Sequence, residues 1–485
     1  MQCLHRTRII FFLSITLALP LSFITLILNC WGLSQYEYQV PYQEDDGWET
    51  ASLASEAVDP KRIVNLLNKI NADIYPNIHS VLLIKNGKII LEEYFSNYDR
   101  NKIHTIQSCT KSITSILVGI AIDHKIISDI NDKVYEHLLM YKGTEWVDRK
   151  YDITIKHALS MSAGLDWDER TYPYTDSRNN NNAMNNSQEW IEYILNRQII
   201  ETPGERFNYT SGLSILLGEI LKQSSGLFAD TFAEKYLFKP LGISFYHWYR
   251  NSSHGTIHAG GGLFLRSRDM AKIGYMMING GKWKGKQIVS NNWVKESTQK
   301  HISSNGFDYG YQWWSGKTIK NNRIIEAFWA AGAGGQFIFA IPEVDLVVVF
   351  TAKRRNNPEA SNRAFIILTD YILPAVLESY PDQKTFKVSN KVLDNCTGEY
   401  KYIESQETII LKIFRKGDKL YANRDSEKET VELFPQSNVR FFGTSKEIGD
   451  FFINFIEDDK SSVNQFILNF SRGFTFMKIP FNKIK

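Results

Sequence analysis

Cysteine is scarce in this sequence, with four among 485 residues, too few to staple a chain of this length by disulfides. Cys3 and Cys30 fall in or beside an N-terminal apolar run, so only Cys109 and Cys396 belong to the body, where both are expected as buried or free thiols. No Cys/His spacing fits zinc, and no metal or organic cofactor is expected. An excess of charge of one sign is equally lacking. The 56 basic and 53 acidic residues leave a formal net charge of +3 with no clustered basic stripe, which argues against nucleic acid as a partner. Repeats of fixed period and long low-complexity tracts are absent. With 43% hydrophobic and 22% charged residues, the chain has the composition of a soluble globular protein rather than a disordered or polytopic membrane one. Its length exceeds one compact core, so a large unit and a smaller one are expected.

One long hydrophobic run is present. Ile9 to Leu28 carries no charge and follows His5, Arg6 and Arg8, which makes residues 1–30 a signal peptide or N-terminal membrane anchor and the body extracytoplasmic, periplasmic or at the cell surface. Leu-Ile-Leu-Asn-Cys30 offers a lipoprotein processing site as a third option, with Asn29 where a small residue is usual. Residues 31–59, polar and acidic around Glu44, Asp45 and Asp46, are expected to be a linker, with order beginning near Pro60. Membrane contact is expected only through the N-terminal segment, and the oligomeric state is not legible.

Beyond Pro60, Lys61 to Ile74 has helical spacing, and two strand-like runs surround Asn86-Gly87, a strong hairpin signal. From Ser108 to about Ala121, Ile113, Ile116, Leu117 and Ile120 recur at helical spacing, with Ser108, Lys111, Ser112, Ser115 and Gly119 on a small, polar side. Ala163 to Ser187 shows no periodicity and reads as an exposed loop. Helices are expected again at Gln188–Asn196, Leu213–Lys222 and Arg268–Met277. Gln336–Ile341 and Leu346–Thr351 form a second hairpin, and Ala360 to Leu373 is helical up to Pro374. Strands at both ends with helices between imply one antiparallel sheet flanked by helices. From about Ser389 short alternating runs indicate a small all-β domain.

The chemistry centres on Ser108-Cys-Thr-Lys111. On a helix this spacing brings hydroxyl and amine onto one face a turn apart, where a lysine held away from water can serve as the base that a serine nucleophile needs. Ser297 and Lys300 repeat the spacing, and are read as an exposed helix end. Tyr209-Thr-Ser211 stands just before an apolar helix, and its tyrosine could relay protons or simply fill the core. Ala330-Ala-Gly332-Ala333-Gly334-Gly335-Gln336 runs into an alternating strand, where small residues let backbone amides approach a ligand, or else make a plain tight turn.

In this order Ser108-x-x-Lys111, Tyr209-x-Ser211 and the Gly-rich strand entry resemble the three motifs of the serine β-lactamase and penicillin-binding-protein superfamily, in its class C-like branch. Further phrases agree: His157 to Glu169, Pro240-Leu-Gly-Ile243 and Ala259-Gly-Gly-Gly-Leu263. The resemblance implies an α+β fold, a β-lactamase-like antiparallel sheet flanked by helices with an all-helical subdomain over residues 60–380, and a small C-terminal β domain over 389–485. It also implies that Ser108 is acylated, that Lys111 and Tyr209 shuttle protons, that Ser211 orients Lys111 or substrate, and that the amides of Ser108 and Ala333, beside Gly332, bind the oxyanion. Two departures steer the substrate. Ser211 stands where β-lactamases usually have Asn, and Ala330-Ala-Gly332 replaces Lys-Thr-Gly, removing the cation expected to hold a β-lactam carboxylate. The pattern is closer to esterases and 6-aminohexanoate-dimer hydrolases, and implies a small-molecule or peptide-like ester or amide substrate. A cell-wall D-alanyl carboxypeptidase or β-lactamase is the alternative, and a non-catalytic binding or sensor module is the alternative of another class.

Other candidates are weaker. Asp166, Asp168 and Glu169 read as a solvated loop with a cap, Lys353-Arg-Arg355 as a solvated strand end, and His254 and His258 as loop-shaping residues.

Overall fold

A computed structural model describes residues 36–484 apart from 142–151, 305, 354–357, 379–385, 405–406, 425–428 and 459–461. The N-terminal apolar run, Cys30, Arg354 and Arg355 therefore lie outside the described residues. Among those described, no helix is long and apolar enough to cross a membrane.

The expected linker is in part a folded element. Glu49–Thr50 forms strand β1, and Trp48 and Leu53 are buried. The acidic residues that suggested a solvated tether instead meet cations: Asp46 holds the buried Arg268 at 2.7 Å, and Glu44 holds Arg100 at 3.1 Å. Glu92 binds the same Arg268 guanidinium at 2.7 Å. Burial thus comes with pairing, the condition under which a charged group tolerates loss of water.

Helix α1 (Pro60–Asn71) starts as its sequence dictates, with the Asp59 side chain accepting from Lys61 N and proline in the first turn. Its buried face is Ile63, Leu66, Leu67 and Ile70. Asn86 and Gly87 take φ of 50° and 76°, the left-handed conformation of a two-residue turn, and join β2 (Ile78–Lys85) to β3 (Lys88–Tyr94). The remaining strands of the main sheet are β4 (Ile302–Ser304), β5 (Phe307–Tyr309), β6 (Trp314–Lys320), β7 (Arg323–Gly332), β8 (Gln336–Ile341) and β9 (Leu346–Ala352). They lie in the order β1-β3-β2-β9-β8-β7-β6-β5-β4, antiparallel throughout except for β1, which pairs in parallel with β3.

Every residue of β8 and β9 is buried, as a strand covered on both faces requires. Ser267–Ile278 packs so closely on this region that a Cβ at Gly274 would lie 2.6 Å from Val347 and 2.7 Å from Ile338. The helical stretch from Pro358 does not stop at Pro374. A π turn over Leu368–Ile372 resets the bonding pattern, so Pro374 falls in the first turn of Leu373–Leu377, where its missing N–H is not needed.

The helical subdomain is built on α2 (Cys109–Asp123) and α3 (Ser211–Ser225), and it includes three short strands, His104–Thr105, Tyr246–Trp248 and Leu263–Leu265. The expected polar side of α2 does not face water. Ser112 Oγ donates to Gln312 O at 2.6 Å and Thr114 Oγ1 to Ala259 O at 2.8 Å, so α2 is a buried central helix. Cys109 and Cys396 are both buried free thiols. Burial pushes the Cys396 thiol up to about 12.

The C-terminal β domain is a closed barrel of eight strands between Gly398 and Lys483, each paired with its sequence neighbour and the last with the first. It docks on β6, where Ser471 Oγ accepts from Ile319 N at 2.9 Å and Lys317 N donates to Phe474 O at 3.2 Å.

Candidate active site

Two short strands and a strained turn deliver Ser108. After His104–Thr105 pairs with Leu263–Leu265, Gln107 takes φ of 49°, unusual for a residue with a side chain, and Ser108 follows immediately before α2. Lys111, 2% exposed, places Nζ 3.1 Å from Ser108 Oγ and donates to Gly260 O at 2.5 Å. The Ser-x-x-Lys geometry is thus realised here, with the amine enclosed by the Ala259–Gly262 loop. A Cβ at Gly260 would sit 2.9 Å from Ser211 O and 3.7 Å from Lys111 Nζ, so the small residue permits the contact.

The second pair is different in kind. Only half of it matches the expected exposed helix end: Ser297 is buried and its Oγ donates to Val294 O at 3.2 Å within its own helix, whereas Lys300 is an exposed partner of Asp308 at 2.8 Å. Lys300→Ala is expected to change turnover by less than about twofold and stability by less than about 0.5 kcal/mol, checked by kinetics and thermal unfolding.

Tyr209 is 8% exposed, and its ring stacks on Trp314 with centroids 6.1 Å apart. Two cations face that ring, Lys111 Nζ at 5.0 Å and the Arg170 guanidinium at 4.8 Å from its centroid. Tyr209 and Lys111 are therefore brought together in the fold.

Ser211 is not committed to Lys111. Its hydroxyl donates to Glu169 Oε1 and its amide to Glu169 Oε2, both at 2.7 Å, while Trp167 Nε1 donates to Oε2 at the same distance. This corrects the sequence reading of Glu169 as solvated. The carboxylate is 2% exposed and sits at the N-terminus of α3, where unpaired amides favour negative charge. Asp166 and Asp168 do behave as expected, the first pairing with Arg197 at 3.0 Å and the second capping Arg170 N and Thr171 N.

The strand entry is a hairpin between two interior strands. Gly332 pairs with Gln336, and Gly334 and Gly335 take φ of 86° and 98°. Pairing of β7 with β6 stops at Trp329 opposite Trp314, so Ala330 to Gly332 run past that neighbour toward the serine loop. There a Cβ on Gly332 would lie 2.4 Å from Ile106 O. Ala333 lines the same cleft as Ser108.

That cleft encloses about 470 Å³, and among the described residues none of its lining side chains is an acid, lysine or arginine. Its walls correct the expectation of an exposed loop over Ala163–Ser187. Asn179 is fully buried and caps the short helix Asn180–Asn185, which turns Asn181, Asn185 and Asn186 toward the cleft. His258, read from sequence as a loop residue, is another wall residue: its Nε2 lies 3.1 Å from Asn185 Oδ1. Burial and then the charge of Lys111 push the imidazole down to about 4. His79, whose Nδ1 lies 2.9 Å from His104 Nε2, is pushed down to about 4 by burial and then by His104. The folded state thus holds both rings neutral where the unfolded chain, with ordinary histidines near 6.5, binds protons. Stability is full above about pH 6.5 and falls as pH drops toward 4. Thermal unfolding between pH 7.5 and 4.5 should show a melting temperature that declines across that window.

Glu169, His258 and Gly260 were not assigned chemistry by sequence. Only the Ala259–Gly262 run carried a usable signal, the same clustering of small residues that marked Gly332–Gly335.

A family model described as Beta-lactamase matches residues 79–370. A 6-aminohexanoate-dimer hydrolase of Paenarthrobacter ureafaciens is 23% identical over 345 residues, covering 66% of this chain and 84% of that protein. Among solved structures, EstCE1, a hydrolase with promiscuous acyltransferase activity, aligns at a TM-score of 0.54 and 16% identity over 66% of this chain and 100% of its own. An octameric penicillin-binding protein homologue of Pyrococcus abyssi aligns at 0.50 and 19% identity over 87% of this chain and 99% of its own. These two share the fold. The matched segment contains the main sheet from β2 to β9, the helical subdomain and the Ser108 cleft, and on that ground the chain belongs to the beta-lactamase family and is a serine hydrolase of that fold.

Proposed function

We propose that the protein is an extracytoplasmic hydrolase that cleaves an uncharged polar ester or amide through an acyl-enzyme on Ser108. The observation that carries this reading is Ser108 Oγ, 3.1 Å from a lysine buried to 2% exposure, at a cleft whose described lining includes no acid, lysine or arginine. Lys111 takes the Ser108 proton as Oγ bonds to the substrate carbonyl carbon. The bond to the alcohol or amine then breaks, and Tyr209 with Lys111 returns the proton to that leaving group. Water attacks the acyl-enzyme by the same route in reverse and releases the acid. The amides of Ser108 and Ala333 hold the oxyanion in both steps. A substrate carboxylate, as in a β-lactam or a peptide C-terminus, would meet asparagines, histidines and tyrosines in this cleft rather than a lysine. The name of the Paenarthrobacter relative, a 6-aminohexanoate-dimer hydrolase, supports hydrolysis as the reaction class. The apolar run Ile9–Leu28 is what supports the extracytoplasmic part of this reading.

Treating the purified chain with a fluorophosphonate and with labelled penicillin, and mapping any adduct by mass spectrometry, tests this. A phosphonyl adduct on Ser108 with no penicilloyl adduct is expected. A rapid, stable or turned-over penicilloyl adduct would move the substrate back to β-lactams. Labelling by neither reagent in folded protein would leave a non-catalytic binding module.

A further inference from the structure

Among the described residues, the barrel is filled at one end and hollow at the other. Side chains alternate in and out along each strand. At the filled end Tyr400, Ile413, Leu420 and Phe466 are at most 1% exposed. The helix Asn390–Cys396 closes that end: Leu393 and Cys396 join the same cluster, and Tyr400 OH donates to Cys396 O at 2.9 Å. Toward the other end Ile409, Leu411, Val431, Ile448 and Ile479 belong to the same interior yet remain partly exposed. They surround a cavity of about 240 Å³ whose smallest lining side chain is Ala422. The polar lining groups include the Arg424–Glu447 pair at 3.4 Å, Glu429, which accepts from Ser445 Oγ at 3.1 Å, and the exposed Arg472.

We propose that this barrel is a second binding site, for a small amphiphile whose apolar chain enters the cavity and whose polar head stays at the charged rim. Closure favours one class of occupant. Each of the eight strands has a partner on both sides, although Thr430–Pro435 and Arg440–Ser445 share only the pairs Phe434–Phe442 and Pro435–Phe441, so the described wall offers a peptide no long free edge on which to add a strand. Hydrogen bonds and charge are available at the rim and apolar surface within, which suits a molecule polar at one end only. The cavity and the Ser108 cleft share no lining residue, so this inference stands independently of the hydrolytic reading.

Isothermal titration of the full chain with hexanoate, octanoate and octanol tests it. Octanoate and octanol should each saturate one site per chain, with affinity rising about fourfold for each methylene between hexanoate and octanoate. Ala422→Phe, which puts a ring into the cavity, should weaken octanoate binding by at least about tenfold. Circular dichroism and the melting temperature establish that the variant is folded, and Leu411→Trp on the neighbouring strand makes the same test should Ala422→Phe fail to fold. Chain-length-dependent binding lost in a folded variant is the expected result. No saturable binding, affinity indifferent to chain length, or undiminished binding in folded filled variants would overturn the proposal.

Discussion

Lys111→Ala should lower kcat/KM on a chromogenic ester by about 10⁴-fold, with the fluorophosphonate labelling rate falling in parallel. The expectation rests on a single short contact. Ser108 Oγ has Lys111 Nζ at 3.1 Å, and the amine is held there by Gly260 O at 2.5 Å in a setting nearly closed to water. Alanine removes the proton acceptor, and the closure that keeps Lys111 at 2% exposure leaves bulk water little access to replace it. Arginine should not rescue, because a guanidinium stays protonated and its planar fork does not fit the space between Ser108 and the Gly260 carbonyl that the single lysine nitrogen fills. Turnover within about tenfold of the unmodified chain, in protein shown to be folded, would remove Lys111 from the mechanism. Ser108→Ala must be equally damaging, since the two residues act as a unit and their losses do not add.

Glu169→Ala should cost about 3–5 kcal/mol of stability, read by chemical unfolding, and most of the activity with it. The carboxylate is the acceptor for Ser211 N, Ser211 Oγ and Trp167 Nε1. Deleting it leaves these buried donors without that partner, at about 1–3 kcal/mol for each that finds no substitute. Because Ser211 opens α3 and Tyr209 lies two residues before it, the same change loosens the ring that faces Lys111. Glu169→Gln keeps the volume and one acceptor oxygen, and should recover about half of the lost stability. An effect of Glu169→Ala within about 0.5 kcal/mol is what a solvated loop residue would give, so the measurement decides between the tertiary contact and the sequence reading.

Much of the fold could be read ahead of the structure where a residue acts on its own neighbourhood. Asn86-Gly87 announces a two-residue hairpin, Asp59-Pro60 a helix start, and the apolar spacing from Ile113 to Ile120 the helix that follows Ser108. The reading failed where a residue's partner is distant. Glu44 and Asp46 look like a tether until Arg100 and Arg268 arrive from other elements. Pro374 looks like a helix end until the preceding π turn places it where no amide is needed. The asparagines from Asn179 onward look like loop filler until Asn179 is buried and its neighbours form a wall of the cleft.

The sequence by itself determined the chemistry on offer and its order along the chain, since a Ser-x-x-Lys spacing, a Tyr-x-Ser before a helix and a Gly-rich hairpin depend on local backbone geometry. Only the tertiary structure decided which Ser-x-x-Lys pair is enclosed. Ser108 and Ser297 share the spacing, but Lys111 meets a carbonyl 149 residues away whereas Lys300 remains in solvent. It also decided that Ser211 answers to a carboxylate 42 residues upstream, and that the barrel interior is left part-filled. The physical reason is the same in each case. Burial and hydrogen-bond satisfaction are properties of a packed neighbourhood, and that neighbourhood is assembled from segments that spacing along the chain does not relate.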